Sequence, residues 1–444
     1  MNKEITNLIE QGKYVDVRNA IINLNIVDAA QLFEEIDQHK LLLIFRMLPK
    51  EVASGVFSHM SSELQQHVVE STTDKEVQGI LSELFFDDTI DFLEEMPANV
   101  VKKVLENTNE STRKLINQFL NYPEDSAGSI MTIEYVGLRK EMTVGEAIKQ
   151  IKETGIDKET IDTCYVMDSN RILEGVVTIR KLILSDVSVM LKDIMYNGVK
   201  YVNTYDDQED VAALFKKYDF SVMPVVDNER RLVGIVTVDD IIDVIDQEAT
   251  EDIHKMAAMQ PSEKEYLKTS NWALAKLRIP WLLVLMISAT FTGGIIKRFE
   301  NALQSVMILA SFIPMLMDTG GNAGSQSSTL IIRGLALGEM EPKDIFKVLW
   351  KELCVSGIVG ITLSIVNFLR IYYIEKTEIL VAVTVSFTLF LTVVLAKVVG
   401  GVLPIIAKKF KLDPAIMAGP LITTIVDAVA LMIYFTTATW LLGI

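Results

Sequence analysis

This chain of 444 residues contains only two cysteines. Cys164 lies in a polar region and Cys354 in an apolar run, so no disulfide framework is expected. No apolar run follows Met1, so the sequence predicts no cleavable signal peptide. No Walker A sequence is present, which excludes an ATP-driven P-loop motor within this chain. The chain is therefore expected to be neither secreted nor powered by its own nucleotide hydrolysis.

Positive charge is in deficit, since 59 Asp and Glu face 42 Lys and Arg and give a net charge of −17. The acids concentrate before about residue 279. An acidic surface repels nucleic acid and anionic lipid headgroups alike. Cations are therefore expected partners, and nucleic acid is not.

Long apolar runs dominate the chain from about Ile279 onward. Each run is near the ~20 residues that a helix needs to cross a bilayer. The sequence predicts a bundle of five transmembrane helices, the second and fifth interrupted by glycine, proline and polar residues. The predicted spans are 279–296, 306–332, 353–369, 379–396 and 414–442.

Lysine and arginine concentrate before the first span, between the second and third, and between the fourth and fifth. Such segments stay in the cytoplasm by the positive-inside rule. Lys297, Arg298, Arg370 and Lys376 lie against this trend. The sequence thus predicts a multi-pass protein of the plasma (inner) membrane, with cytoplasmic N-terminal domains and an extracytoplasmic C-terminus.

Residues 1–125 have a helical pattern throughout. Pro49 and Pro97 hold equivalent places in two similar segments, 46–57 and 94–105. Proline at a fixed place before an amphipathic helix marks a helix start, and repetition suggests stacked helical hairpins. An acidic, all-α, superhelical domain is predicted here.

Short β-rich runs alternate with helices over residues 126–246. The segment 173–183 is echoed by 232–242, and both contain a glycine, a Val-Thr pair and a following helix. This doubled unit resembles a tandem pair of CBS domains, at about 126–190 and 191–246. The resemblance implies an α/β fold for each copy.

CBS pairs bind adenine nucleotides through a Thr and an Asp three residues apart, so the resemblance implies a nucleotide site. The second copy supplies Thr237 and Asp240, whereas the first has Thr178 followed by Lys181. Two interpretations stay open. The pair could bind ATP or AMP at one half-site, or it could be a dimerising scaffold that binds no nucleotide.

An acidic run leads from the CBS pair to the membrane. It contains Asp239, Asp240, Asp243, Asp246, Glu248, Glu251 and Asp252. Like charges at helical spacing repel one another by a few tenths of a kcal/mol per pair. A solvated helix face would explain the run, but its place just before the first span favours metal binding.

The segments 248–254 and 320–326, together with this domain order, resemble the MgtE family of magnesium channels and transporters over nearly the full chain. The resemblance implies a homodimer that is not an enzyme, with Mg²⁺ as substrate and regulator. It also implies a connecting plug helix at 247–275 and a transmembrane domain at 276–444.

Asp318 and Asp427 lie inside predicted spans, where a charge facing lipid costs about 2.5–3.5 kcal/mol. They should therefore face a wet interior. By resemblance Asp427 is the pore carboxylate, which a two-fold dimer turns into a facing pair.

Hydrated Mg²⁺ could bind through outer-shell contacts to oxygen atoms of the pore. The candidates are exposed backbone carbonyls near Gly321 and Gly324, the Asn322 amide, and the hydroxyls of Thr423 and Thr424. Close helix packing is the alternative role of the glycines. His, Cys and Met do not cluster here, which argues against copper or zinc.

The resemblance further implies that Mg²⁺ bridges cytosolic acids and draws the plug helix against the pore. The candidate regulatory acids are Asp87, Asp91, Asp219, Asp240, Asp243, Asp246, Glu248, Glu251, Asp252 and Asp413. Gly55 departs from the family pattern, since some relatives carry an acid there. That regulatory site is expected to be weakened or lost.

Three other functions fit parts of this pattern. A transporter of Co²⁺, Ni²⁺ or Mn²⁺ has similar requirements and stays open. A membrane-anchored CBS sensor would need neither broken spans nor buried acids. Asp318-Thr-Gly copies an aspartic protease motif, but the Gly-x-Gly-Asp arrangement of intramembrane aspartyl proteases is missing. The sequence favours Mg²⁺ flow down its electrochemical gradient, gated by intracellular Mg²⁺.

Overall fold

Short helices around an apolar core form the first part of the computed structural model, which describes residues 2–262, 266–267 and 269–443. Pro49 and Pro97 are the N-caps of α5 and α9, so the two similar segments begin equivalent helices. The helices are α1 (Asn2–Glu10), α2 (Tyr14–Ile22), α3 (Ile26–Glu35), α4 (Gln38–Phe45), α5 (Lys50–Ser58), α6 (Ser62–Ser71), α7 (Asp74–Leu81), α8 (Phe86–Glu94), α9 (Ala98–Glu106) and α10 (Glu110–Phe119). The predicted all-α N-terminal region is confirmed.

Two three-stranded sheets with the same topology follow. The first contains β1 (Gly137–Arg139), β2 (Thr163–Met167) and β3 (Leu173–Thr178), and the second β4 (Val202–Asn203), β5 (Val222–Val226) and β6 (Leu232–Thr237). In each sheet the first pair of strands is parallel and the second antiparallel, with a register shift at the corresponding place. The helices are α11 (Val144–Thr154), α12 (Ile179–Ile183), α13 (Leu191–Ile194), α14 (Gln208–Tyr218) and α15 (Val238–Met256). The doubled α/β unit is confirmed.

The repeated glycine permits a close backbone approach in each copy. A side chain at Gly234 would come within 2.7 Å of the Met131 sulfur and the Thr132 carbonyl oxygen. One at Gly175 would come within 2.9 Å of the Met195 sulfur. Only a residue without Cβ leaves room for these contacts.

Contacts divide the chain into two units, Met1–Val244 and Ile245–Ile444. The second unit contains the end of α15 and then mostly long helices. They are α16 (Asn271–Arg298), α17 (Glu300–Ser305), α18 (Ile313–Ala336), α19 (Ile345–Leu369), α20 (Ile379–Lys409) and α21 (Gly419–Leu442). The 247–275 segment thus contains the end of α15, a link and the start of α16, and its residues 263–265 and 268 lie outside the described ones.

The five predicted spans are only partly reproduced. Within the described ranges, four helical segments are long and apolar enough to cross a membrane: Asn271–Arg298, Pro342–Ile374, Ile379–Lys409 and Pro414–Leu442. The fifth candidate, α18, has 24 residues, but its glycines and polar side chains dilute its apolar character. By length and composition alone, four of the five predicted spans are therefore reproduced among the described residues.

Of the two predicted interruptions, the structure shows the one in the last span but none at the glycines of the second span. Helix α18 continues unbroken through Gly320, Gly321 and Gly324, which keeps its backbone hydrogen bonds satisfied. In the last predicted span, 414–442, a short helical turn at Pro414–Met417 ends at Ala418, and Gly419 and Pro420 start α21. Proline is tolerated in a first turn because its missing N–H would have no helical partner there.

Candidate functional site

Carboxylates gather between α8 and the start of α15 in the first unit. Asp87 is 7% exposed, and burial with the charges of Asp240 and Asp88 raises its pKa to about 9. Burial also raises the pKa of Asp240 to about 6 and that of Glu159 to about 7. Asp91 on α8 is exposed, and partial desolvation by its neighbours and the Asp240 charge raise its pKa. Sequence reasoning missed Glu159, which lies in a loop without a periodic signal.

Three other predicted regulatory acids, Asp219, Asp243 and Asp246, are exposed. A side chain at Gly55 would come within 3.0 Å of Ile26, so an apolar neighbour occupies the space beside this position. Within the described part of the chain, no three His, Cys, Asp or Glu side chains form a ready-made metal site. Mg²⁺ commonly keeps several of its waters, so it can bind where few protein oxygens converge.

The Thr–Asp pair of the second CBS copy is assembled. The Thr237 hydroxyl donates to Asp240 Oδ2 at 2.6 Å. In the first copy Thr178 Oγ1 instead accepts from the Lys181 N–H at 3.2 Å and caps α12. The structure thus shows the same asymmetry that the sequence predicts.

In the second unit, a lysine lies between two predicted regulatory acids. Lys255 Nζ is 2.5 Å from Glu251 Oε1 and 2.6 Å from Asp413 Oδ2. Burial lowers the pKa of Lys255, but hydrogen bonds with Asp413 and Glu251 outweigh burial and raise the pKa above its ordinary value. Burial and the Asp413 charge raise the pKa of Asp252 to about 6. The structure brings these acids together around a cation that sequence reasoning missed.

An apolar contact lies beside this ion pair. Met256, the last residue of α15, packs against a cluster of Ile332, Ala415 and Ala418. Its carbonyl oxygen is 3.5 Å from where a side chain at Gly419 would begin. The end of α15 therefore contacts both α18 and the segment that starts the last span.

The glycines of α18 pack against α20 and α21. A side chain at Gly321 would come within 2.9 Å of Thr423, and one at Gly324 within 2.7 Å of Ile422. The Gly324 carbonyl oxygen abuts Gly400 so closely that no side chain would fit there. Gly321 and Gly324 are both buried, whereas Asn322 between them is exposed, so the exposed carbonyls predicted near them stay a prediction. Small residues let the helix backbones approach, as the packing alternative requires.

Polar side chains of the predicted pore lie on α18 and α21. Asp427 is half-buried on α21, and Thr423 and Thr424 lie about one turn before it. The Asp318 charge on α18 is near enough to interact with Asp427, and Asn322 is exposed on the same helix. Both threonine hydroxyls donate to a backbone carbonyl at 2.9 Å. Their oxygens keep lone pairs that can accept hydrogen bonds from the water around an ion.

A hydrogen-bonded network of buried polar side chains joins α18, α19 and α20. Ser327 Oγ donates to Glu352 Oε2 at 2.6 Å, and Lys397 Nζ donates to Ser327 Oγ at 3.4 Å. All three side chains are buried. The sequence prediction missed them because the hydropathy signal starts after Glu352 and stops before Lys397, whereas α19 and α20 continue through them.

Known proteins match nearly the whole chain. Family profiles described as MgtE divalent cation transporter, MgtE intracellular N domain and CBS domain match residues 313–437, 24–125, and 127–187 with 191–247. The magnesium transporter MgtE of Thermus thermophilus is 38% identical over 98% of this chain and 97% of its own length. That of Bacillus subtilis is 36% identical over 97% and 95%. A crystal structure of the cytosolic domain of the Mg²⁺ channel MgtE in complex with ATP is 36% identical, with a TM-score of 0.53, and covers 55% of this chain and 100% of that one.

Proposed function

Because this chain belongs to the MgtE family, we propose that it conducts Mg²⁺ across a membrane into the cell and is gated by Mg²⁺ on the cytosolic side. The observation that carries the proposal is the half-buried Asp427, on a membrane helix within the segment that matches the divalent cation transporter profile. A charge at this depth is costly unless it faces water or an ion. The family assignment also removes the aspartyl protease alternative.

The proposed pore lies on the axis of a homodimer, with α18 as a fifth span and the C-terminus outside. The two-fold axis would place one Asp427 from each subunit opposite the other, and two carboxylates balance a divalent charge. Asn322, Thr423 and Thr424 would contact the ion through its water shell. Gly321 and Gly324 contribute by allowing α18 to pack closely, not as ligands.

Gating is proposed to use the acids of the cytosolic domains and α15. Burial and, after it, the charges of neighbouring carboxylates raise the pKa values of Asp87 and Asp240, and a bound cation would favour the ionised forms. Mg²⁺ would bind best to the conformation that brings acids together, and this difference in affinity shifts the population. The other proposed participants are Asp91, Asp219, Asp243, Asp246, Glu248, Glu251, Asp252 and Asp413.

ATP binding at the second CBS copy is a finer part of the proposal. It is supported by the assembled Thr237–Asp240 pair and by the similar cytosolic domain that was crystallised with ATP. The first copy caps a helix with the corresponding threonine. We therefore expect one nucleotide half-site per chain.

Uptake of Mg²⁺ by cells that lack their own Mg²⁺ import tests the pore assignment. The native chain should restore growth at low Mg²⁺, and Asp427→Asn should not, because one formal charge is lost from each half of the site. Asp28→Asn is a matched control, since Asp28 is exposed in the first turn of α3 and far in sequence from the membrane helices. Full rescue by Asp427→Asn at equal expression would overturn the pore assignment. Failure of the native chain to transport would favour the sensor, and parallel Co²⁺, Ni²⁺ and Mn²⁺ uptake would favour a broader transporter.

A further inference from the structure

Lys255 occupies the position between two acids where the family mechanism would place a metal ion. Its ammonium is within 2.6 Å of both Glu251 and Asp413. An ammonium is a compact cation with three N–H donors, so one such group can serve two carboxylates together. The side chain is largely covered, at 21% exposed.

Asp413 is held in place for this contact by its own backbone. Its Oδ1 accepts from the Ala415 N–H at 2.7 Å and caps the turn that precedes α21. The other oxygen, Oδ2, accepts from Lys255. Each carboxylate oxygen therefore has a defined partner, and the ion pair connects α15 to the start of the last span.

Lys255 supplies the favourable charge next to Asp252. Burial and the charges of Asp413, Glu248 and Glu251 all oppose ionisation of Asp252, whereas Lys255 favours it. Removing the ammonium would bring the carboxylates of Glu251, Asp252 and Asp413 into repulsion without the contacts that Lys255 makes to two of them. A cation at this position therefore favours the contact between the end of α15 and the segment that starts the last span.

We propose that Lys255 is a tethered cation that takes the place of a divalent ion between Glu251 and Asp413, so that this junction closes without Mg²⁺. The inference deepens the proposed gating and rests on it for its physiological meaning. Mg²⁺ and the ammonium compete for the same oxygens, so Mg²⁺ enters this position only when Lys255 moves away. Lys255 thus sets how strongly closure here depends on Mg²⁺.

Cross-linking across the junction measures closure directly. Met256→Cys and Gly419→Cys place thiols on its two sides, with Cys164 and Cys354 replaced by alanine. The purified full-length protein in lipid nanodiscs is treated with a short thiol-reactive bifunctional linker, in EDTA or in millimolar Mg²⁺. Lys255→Met, Lys255→Arg and the exposed control Lys409→Met are compared in this background.

We expect rapid cross-linking of the parent and of Lys409→Met in EDTA. Lys255→Met should cross-link about five- to tenfold more slowly in EDTA, as expected for losing a partly covered ion pair. Mg²⁺ should restore its rate, and Lys255→Arg should stay close to the parent. The double variant Lys255→Met with Asp413→Asn, which loses one charge of each sign, should cross-link faster in EDTA than Lys255→Met and respond less to Mg²⁺.

Equal rates for Lys255→Met and the parent in EDTA would overturn the inference. A slow rate that Mg²⁺ does not restore would also overturn it, because the lysine would then be a structural contact and not a substitute for the ion. Both readouts are independent of transport. Failure of the uptake experiment would therefore count against the proposed function and leave the cross-linking result standing.

Discussion

At the scale of single residues, the surroundings of an aspartate decide what it can do. Asp87 and Asp246 look alike in the sequence, but Asp87 is buried among other carboxylates and Asp246 is exposed. Burial raises the pKa of Asp87 to about 9, and no helical period in the sequence could give that value. The sequence named Asp87 as a candidate regulatory acid, by resemblance, and could not name its neighbour Glu159.

Asp87 should make the cytosolic unit less stable as pH rises. Its carboxyl has an ordinary pKa of 3.8 and a folded pKa of about 9, so between these values the folded state binds more protons than the unfolded state. The free energy of unfolding therefore falls as pH rises from about 4 to about 9. Asp87→Asn should raise it by about 1 to 3 kcal/mol at pH 8 and change it little near pH 4.

Urea unfolding of the 1–244 fragment, followed by circular dichroism at both pH values, measures this effect. Asp28→Asn is the matched control, because Asp28 is exposed in the first turn of α3. A stability gain that is the same at pH 4 and pH 8 would contradict the assignment to ionisation. Mg²⁺ at pH 8 should stabilise the native fragment more than the Asp87→Asn fragment, because the ion relieves the same repulsion.

At the scale of elements, the glycines of α18 and α20 set the distance between two membrane helices. The Gly324 carbonyl of one helix lies against Gly400 of the other. The glycine-rich segment predicts either exposed carbonyls or close packing, and the continuous helix shows the second. A single-sequence hydropathy pattern cannot choose between them, since both need small residues in an apolar setting.

Gly400→Ala should therefore damage the membrane unit. The added methyl group would overlap the Gly324 carbonyl and force the helices apart, at a cost of about 1 to 3 kcal/mol. We expect a lower yield of folded protein, a lower melting temperature in detergent, and reduced Mg²⁺ uptake per molecule. Gly357→Ala on α19 is the matched control, because a side chain there meets nothing within 4 Å. Equal melting temperatures and uptake for the two variants would show that the close approach does not matter.

At the scale of the whole molecule, the chain joins an acidic soluble unit to an apolar one. The proposed gating requires Mg²⁺ to favour a state in which cytosolic acids share ions. Such a closed conformation would bind Mg²⁺ better than the open conformation does. Several weak sites acting together would then make closure depend steeply on the Mg²⁺ concentration. Screening by a monovalent salt cannot reproduce bridging between specific oxygens.

Limited proteolysis of the full-length protein tests this gating. Millimolar Mg²⁺ should slow cleavage of the soluble unit severalfold, whereas NaCl at equal ionic strength should have a much smaller effect. The double variant Asp87→Asn with Asp240→Asn should lose most of the protection, and Asp28→Asn should keep it. Equal cleavage rates of the native protein with and without Mg²⁺ would contradict the proposal that Mg²⁺ bridges the cytosolic acids.

The sequence by itself determined the order of domains, the helical and α/β character of the soluble part and the apolar character of the rest. These features follow from local periodicity, proline and glycine positions and composition. The sequence also singled out Asp427, because an acid in an apolar span is conspicuous at any depth. The tertiary structure alone decided that Lys255 lies between Glu251 and Asp413, that Ser327 connects Glu352 to Lys397, and that Gly324 packs on Gly400. Apart from the i,i+4 pair of Glu251 and Lys255 within α15, each of these contacts joins residues from different helices or loops. No local pattern encodes which of those side chains meet once the helices pack.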